Sequence, residues 1–158
     1  DDLYVCQPGG LPNLLFIQGE DGAANEMGSD AGVDWLESSF SALVLDLDND
    51  DDEDLVVATL QGVVLAENDG KARFRVRQVL ESIHDPVLSA ADYDNDGDLD
   101  LVVSGGTGLS LWSNHGNFDF ANVTGQSSWP PSGMAVSSIV PVDWNQVSSR
   151  VQPSVGWS

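Results

Sequence analysis

Short apolar segments alternate with acidic and glycine-containing turns along most of the chain. No segment longer than about ten residues keeps the three- and four-residue apolar spacing of an amphipathic helix. The pattern is instead typical of short antiparallel strands joined by tight turns. It predicts two successive groups of four strands, at 41–45, 55–60, 63–67 and 73–79 and at 87–91, 101–104, 109–113 and 118–123.

Two acidic segments are near-copies of each other in the same register. One is DLDNDDDEDLVV at 46–57 and the other is DYDNDGDLDLVV at 92–103, so their first residues lie 46 positions apart. The chain opens on Asp2-Leu3-Tyr4-Val5, which matches the end of both copies. A degraded copy begins at Asp143, 51 positions after the second copy begins. The sequence is therefore an array of repeats with a period of 46 to 51 residues.

Four antiparallel strands at this period are typical of the blades of a β-propeller, in which each sheet buries its faces against its neighbours. We therefore expect an all-β fold of four-stranded blades. The chain is long enough for about three blades, whereas a closed propeller has about four to eight, so we expect contacts with further blades outside this sequence. The predicted units are a partial blade (1–40), two blades (41–86 and 87–137), the start of another blade (138–145) and a tail without a predicted strand (146–158).

Charge and composition exclude several classes of protein. The chain has 26 acidic and 5 basic residues and a formal net charge of −21, which makes nucleic acid and anionic membrane surfaces poor partners. A hydrophobic content of 41% is too high for an acidic disordered tail. The single cysteine, Cys6, excludes a disulfide framework and a cysteine-rich zinc site. No apolar run approaches the roughly 18 residues of a membrane span, so we predict no membrane insertion.

The spacing of carboxylates in the acidic segments indicates a cation site. A hard cation such as calcium takes about six to eight oxygen ligands, and without one these carboxylates would repel each other at short range. An EF-hand is excluded because its twelfth position, a bidentate acid, is occupied by Val57 and Val103. The remaining alternative is a solvated acidic turn. The candidate ligands at positions 1, 3, 5 and 9 are Asp46, Asp48, Asp50 and Asp54 in the first loop and Asp92, Asp94, Asp96 and Asp100 in the second.

The two loops differ at position 6, where Gly97 of the second loop corresponds to Asp51 of the first. Glycine adopts a left-handed backbone freely, whereas other residues incur a cost on the order of 1 kcal/mol. We therefore expect the second loop to form the better site. The degraded copy at Asp143 has Val147 and Val151 at positions 5 and 9, and we do not expect it to bind calcium well.

These residues make the chain resemble the FG-GAP and VCBS repeat family, the integrin-α-like β-propellers, whose signature is D-x-D-x-D-G-x-x-D-L. The resemblance covers roughly residues 1 to 145 and rests on two nearly complete motifs in register. Gly9-Gly10-Leu11-Pro12-Asn13 also looks like the turn that follows the Asp-Leu strand in bacterial members. The resemblance implies calcium held by the aspartates above and by the backbone carbonyls of Asp52 and Asp98, in exported or cell-surface proteins.

Four of the five basic residues are concentrated in the fourth strand of the first complete unit and the turn before it. We predict that they alternate on one face of an edge strand, with Phe74 and Val76 on the other, and protect that edge by charge. The alternative is a patch that binds an acidic ligand. The basic residues are Lys71, Arg73, Arg75 and Arg77.

Other residues with chemical potential have structural interpretations. His84 and His115 have no cysteine or second histidine at metal-ligand spacing, so we assign them to turns. No G-x-S-x-G motif occurs, so nucleophilic catalysis has no support. We expect Trp112 to pack between blades and Trp129, beside two prolines, to form an exposed platform.

These observations predict a calcium-stabilised, extracytoplasmic β-propeller module that is not an enzyme and that binds or scaffolds protein or glycan partners. Fold alone does not define the ligand. One alternative is the propeller portion of a polysaccharide lyase or hydrolase, for which the basic cluster from Lys71 to Arg77 would supply the cations. The other alternative is a purely structural spacer between domains.

Overall fold

A computed structural model describes residues 1–81, 86–105, 108–126, 136 and 138–141. The described strands pair into three antiparallel sheets, and the described helical structure is one turn of α-helix, α1 (Gly28–Ala31), and one 3-10 turn (Thr124–Gln126). The all-β prediction with propeller-type blades is therefore confirmed. Among the described residues, no helix is both long enough and apolar enough to span a membrane.

Two of the sheets have four strands that follow each other in chain order, which is the arrangement predicted for a blade. The eight predicted strands of these sheets are all present, with ends that differ by at most two residues from the predicted ones. The second sheet comprises β4 (Ser39–Leu45), β5 (Asp54–Thr59), β6 (Gly62–Asn68) and β7 (Phe74–Leu80), and the third comprises β8 (Val87–Ala91), β9 (Asp100–Gly105), β10 (Gly108–Asn114) and β11 (Phe120–Asn122).

The first sheet has three described strands, β1 (Leu3–Val5), β2 (Leu14–Gln18) and β3 (Ala24–Glu26). A buried side chain, Asn13, connects this sheet to the second one. Its amide nitrogen donates to the hydroxyl oxygens of Tyr4 and Ser39, each at 2.9 Å. The predicted turn at Gly9–Asn13 therefore ends in a residue that links two blades.

The second sheet is buried on both of its faces, and β5 shows why. All six residues of β5 are buried, and successive side chains point to opposite faces of the sheet. Val56 and Ala58 belong to a core shared with the third sheet, whereas Leu55 and Val57 belong to a core shared with the first. Sheets of successive repeats that stack face to face in this way have the packing expected of propeller blades. Trp112 lies in the core between the second and third sheets, as predicted.

Polar contacts also join the outer strands of the second and third sheets. The side-chain amide of Gln78 donates to the carbonyl of Phe120 at 3.1 Å and accepts from its N–H at 3.2 Å. The guanidinium of Arg77 donates to the side-chain oxygen of Asn117 at 3.2 Å and lies 5.4 Å from the centre of the Phe118 ring. These contacts hold β7 against the turn and strand that end the next blade.

The predicted position of β7 at the edge of its sheet is confirmed, but its predicted alternation of faces is wrong in the second half of the strand. A β-bulge lies between the pairs Leu65–Gln78 and Ala66–Val76, so Arg77 is an extra residue on β7. A bulge interrupts the alternation of side chains along a strand. As a result Arg77 is half-buried against the third sheet. Val76 precedes the bulge in regular register with Phe74 and is exposed.

Leu47 offers a test of how the first acidic loop is attached to the core. This side chain is completely buried in the core between the second and third sheets. We expect Leu47→Ala to lower the free energy of unfolding by about 2 to 5 kcal/mol, the usual range for such a truncation. Val44→Ala is the control, because Val44 is 57% exposed, and it should cost less than about 0.5 kcal/mol. Urea unfolding followed by tryptophan fluorescence measures both, and equal losses would contradict the assigned packing.

Candidate metal centres

Each acidic loop joins the first and second strands of its sheet, between β4 and β5 and between β8 and β9. The loops fold through hydrogen bonds from backbone N–H groups to their own first carboxylate. Asp46 accepts from Asn49 at 2.7 Å and from Asp51 at 3.1 Å, and Asp92 accepts from Gly97 at 3.2 Å. The carboxylate at position 1 is thereby held over the turn that follows it.

Both loops use left-handed backbone at positions 4 and 6. The φ angles are 61° at Asn49 and 62° at Asn95, the two residues at position 4. At position 6 they are 70° at Asp51 and 100° at Gly97. Aspartate therefore adopts, at position 6 of the first loop, the conformation that glycine adopts freely in the second. That the second loop is the better site remains a prediction.

The carboxylate at position 9 is buried and links three parts of its blade. Asp54 accepts the N–H of Leu47 from the loop and the N–H of Asn68 from the end of the third strand, each at 2.9 Å. In the next blade Asp100 accepts the equivalent N–H groups, from loop position 2 at 2.7 Å and from Asn114 at 2.9 Å. The same residue therefore closes the loop in both blades.

These hydrogen bonds bring three carboxylates together in each loop, those at positions 1, 3 and 9. In both groups the candidate ligand atoms lie within 4.8 Å of one another. Oxygen ligands without histidine or cysteine suit a hard cation such as calcium or magnesium rather than zinc. The two groups are Asp46, Asp48 and Asp54, and Asp92, Asp94 and Asp100.

The aspartates at position 5 are not members of these groups. Asp50 accepts the backbone N–H of Asp52, and Asp96 accepts that of Asp98, each at 2.9 Å. In the described structure these two side chains therefore stabilise the turn. Their role as ligands, and that of the backbone carbonyls at position 7, remains a prediction.

Asp48 shows that the first group fits a cation. One oxygen of its carboxylate, Oδ1, is buried and has no hydrogen-bond partner among the described residues. Burial raises the pKa of this carboxyl, and the negative charges of Asp50, Glu67 and Asp46 raise it further. A bound cation would relieve each of these effects, because it supplies the missing partner and opposes the neighbouring charges.

The pKa of Asp54 is raised by the same two causes, burial and neighbouring negative charges. Burial raises its pKa to about 6, the charges of Asp48 and Asp50 act in the same direction, and its two backbone hydrogen bonds act against them. The ionised form is therefore costly in the described arrangement of charges, despite good hydrogen bonds. A nearby divalent cation would favour that ionised form.

Sequence reasoning missed two groups of residues around these loops. Asn68 and Asn114 each precede a turn and donate a side-chain N–H to the carbonyl of the residue before the position-9 aspartate, Glu53 at 3.1 Å and Leu99 at 3.3 Å. Their equal positions in the two repeats were a signal that could have identified them. The second group is Asn49 and Asp98, which form a hydrogen bond between the two loops. No repeated position in the sequence indicates this contact.

The remaining candidate residues are placed as follows. His115 is exposed in the turn between β10 and β11, where its N–H donates to the carbonyl of Asp119 at 3.0 Å, so its predicted turn position is confirmed. His84, Trp129 and the degraded copy at Asp143 lie outside the described residues.

Repeated four-stranded sheets, each with an acidic loop between its first and second strands, define a class of propeller-type repeat proteins. The model of the FG-GAP-like repeat matches the chain twice, at residues 46–103 and 92–146. These matches cover well over half of the sequence, so the chain belongs to the FG-GAP-like repeat family. A search of curated proteins found no match.

The different surroundings of Asp54 and Asp48 predict opposite effects of the same chemical change. In chelator, Asp54→Asn should lower the free energy of unfolding by about 1 to 3 kcal/mol, because an amide cannot accept both buried N–H groups. Asp48→Asn should leave stability in chelator unchanged or raise it, since it removes a carboxylate whose pKa is already raised. It should nevertheless weaken calcium binding at least about tenfold, because the affinity of a calcium site depends on the number of charged ligands.

Denaturant unfolding in chelator and calcium titration calorimetry measure these two quantities on the same variants. A large loss of stability for Asp48→Asn in chelator would show that its carboxylate has a structural partner. An unchanged calcium affinity for that variant would remove it from the ligand set.

Proposed function

We propose that the chain is a calcium-stabilised β-propeller module that acts outside the cytoplasm and binds or scaffolds protein or glycan partners without catalysis. The observation that carries the proposal is that the same cluster of three carboxylates recurs at the same place in two successive blades. The buried, unpartnered Oδ1 of Asp48 supports a cation rather than a solvated turn.

Calcium bound there would supply positive charge at the point where each blade concentrates its carboxylates. The residues that would hold it are those at positions 1, 3 and 9 of each loop. The spacing of the aspartates adds position 5, and the family resemblance adds the position-7 carbonyls. The structural role of such an ion is to keep the loop closed over the start of the second strand.

An extracytoplasmic location is consistent with the expected strength of binding. Extracellular calcium modules bind at about 0.1 to 1 mM, a range in which the ion is abundant outside cells. The proposal also includes contacts with further blades, because a closed propeller has about four to eight of them. The described residues form three sheets.

A groove of about 820 Å³ between the first and second sheets supports the proposed partner class. Ile17 contributes apolar surface to it, Lys71 and Arg73 contribute positive charge, and Glu26 and Asp30 contribute negative charge. Apolar surface with a few polar and charged groups suits a peptide or a sugar chain. We propose this groove as the binding surface of the module.

A specific observation favours one alternative, a polysaccharide-processing role. Lys71 and Arg73 line the groove, whereas Arg75 and Arg77 pair with Glu67 at 3.7 and 2.8 Å. Two of the four basic residues are therefore placed where an acidic glycan could contact them. A screen of acidic and neutral polysaccharides distinguishes the candidates: binding without turnover supports the module, turnover supports an enzyme, and neither supports a spacer.

Calcium should raise the thermal stability of the chain. Saturation at ten times the dissociation constant adds about 1.4 kcal/mol per site, so two sites should raise Tm by roughly 5 to 10 °C. Equal magnesium should have much less effect, because it demands octahedral geometry and retains its waters. Differential scanning calorimetry in chelator, calcium and magnesium measures this.

The control is a double variant, Asp48→Asn with Asp94→Asn, which lacks the position-3 carboxylate of both loops. Its melting temperature should no longer respond to calcium. Superimposable melts of the unmodified chain in chelator and calcium would refute the proposed role of the ion.

A further inference from the structure

The two acidic loops contact each other, although they belong to different blades. We propose that they bind calcium with positive cooperativity, because hydrogen bonds between them make each loop a support of the other. This inference rests on the calcium function proposed above and concerns how its two sites are regulated.

The first link lies at the surface. The side-chain amide of Asn49, at position 4 of the first loop, donates to the carboxylate of Asp98, at position 7 of the second, at 2.6 Å. The backbone of Asn49 also donates to the first candidate ligand, Asp46, at 2.7 Å. One residue therefore holds both its own loop and the neighbouring one.

The second link is buried. The side-chain amide of Asn114, a fully buried residue of the third sheet, donates to the carbonyl of Leu47 in the first loop at 2.8 Å. The N–H of Leu47 donates to Asp54, and the N–H of Asn114 donates to Asp100, each at 2.9 Å. Three consecutive hydrogen bonds thus connect a candidate ligand of one site with a candidate ligand of the other.

The packing of Leu47 makes this link rigid. Its side chain is fully buried in the core between the second and third sheets. A shift of the first loop therefore requires a shift at the interface on which the second loop also depends. Contiguous networks of packed and hydrogen-bonded groups of this kind can carry coupling energy between sites.

Two effects with opposite influence on cooperativity act between the sites, and they differ in their dependence on salt concentration. Ordering one loop by an ion removes part of the conformational cost of ordering the other, which favours positive cooperativity. Repulsion between two dications favours negative cooperativity, but it is screened over about 8 Å at physiological ionic strength. Coupling through hydrogen bonds should therefore persist at 0.15 M salt and above, whereas the repulsion between the two dications should weaken as the salt concentration rises.

The coupling is measured as a ratio of dissociation constants on the full chain. Calcium titration calorimetry at about 0.05, 0.15 and 0.5 M salt covers screening lengths on either side of 8 Å. Asp94→Asn disables the second site and Asp48→Asn the first, while the position-1 carboxylates that hold each loop stay in place, so each remaining site is measured with its neighbour absent. Loss of either neighbour should weaken the remaining site by about fivefold or more, and by the same factor in both directions, as linkage requires.

A matched pair of variants tests the surface link. Asn49→Gly and Asn95→Gly both replace a residue at position 4 with a φ angle near 60°, which glycine adopts freely. Only Asn49 donates its side-chain amide to the other described loop. Asn49→Gly should reduce the coupling factor toward one, whereas Asn95→Gly should preserve it. Asn114→Ala should reduce it further, and Asn49→Gly keeps the test available if that buried variant fails to fold.

The outcomes separate this inference from the one on which it rests. No calcium binding by the unmodified chain would refute the proposed function, and the coupling with it. Binding at two sites whose affinities do not change when the neighbour is disabled would refute the coupling alone. Negative cooperativity that salt abolishes would show that charge alone connects the sites, and an equal effect of the two glycine variants would exclude the Asn49 link.

Discussion

A buried carboxylate at the start of the second strand is the constraint on which each blade depends. Asp54 and Asp100 each accept one N–H from the preceding loop and one from the end of the third strand. This pair of bonds gives partners to two backbone donors that a tight loop beside a sheet would otherwise leave unpaired. It also determines where the loop lies, and so it brings the carboxylates at positions 1 and 3 beside the one at position 9.

The loop and the stacking of the sheets are therefore parts of one arrangement. Loop position 2 of the first acidic segment is Leu47, whose N–H is held by Asp54 and whose side chain fills the core between the second and third sheets. The core between the second and third sheets is complete only when the loop places Leu47 in it, and the buried Leu47 side chain in turn holds the loop in position. A propeller blade cannot bury both of its faces alone, so stability comes from interfaces between neighbouring units. In this chain the acidic loop is part of such an interface.

Much of this could be predicted from the sequence because it is local and repeated. Alternation of apolar and polar residues predicts strands such as β5 and β9, and the spacing of aspartates predicts the groups at Asp46 and Asp92. The bulge at Arg77 could not be predicted, since period-two alternation assumes a regular strand. The contact between Asn49 and Asp98 joins residues 49 positions apart, and no local pattern encodes it. Position 5 was assigned to the ligand set on spacing alone, whereas its side chains accept backbone N–H groups of the turn.

The distribution of charge in the first acidic loop supports the proposed role of a cation. Burying a carboxylate costs free energy unless hydrogen bonds or an opposite charge compensate for it. Asp54 has its hydrogen bonds, yet its pKa is still raised to about 6, because burial and the carboxylates of Asp48 and Asp50 outweigh them. The basic residue nearest in chain order to this region, Lys71, lies at a different place, beside the groove between the first and second sheets. In the proposed function, a divalent ion from solution would balance this charge at the point where the loop, the second strand and the neighbouring blade meet. On the proposed function, the stacking of the blades thus depends on the ionic composition of the surroundings.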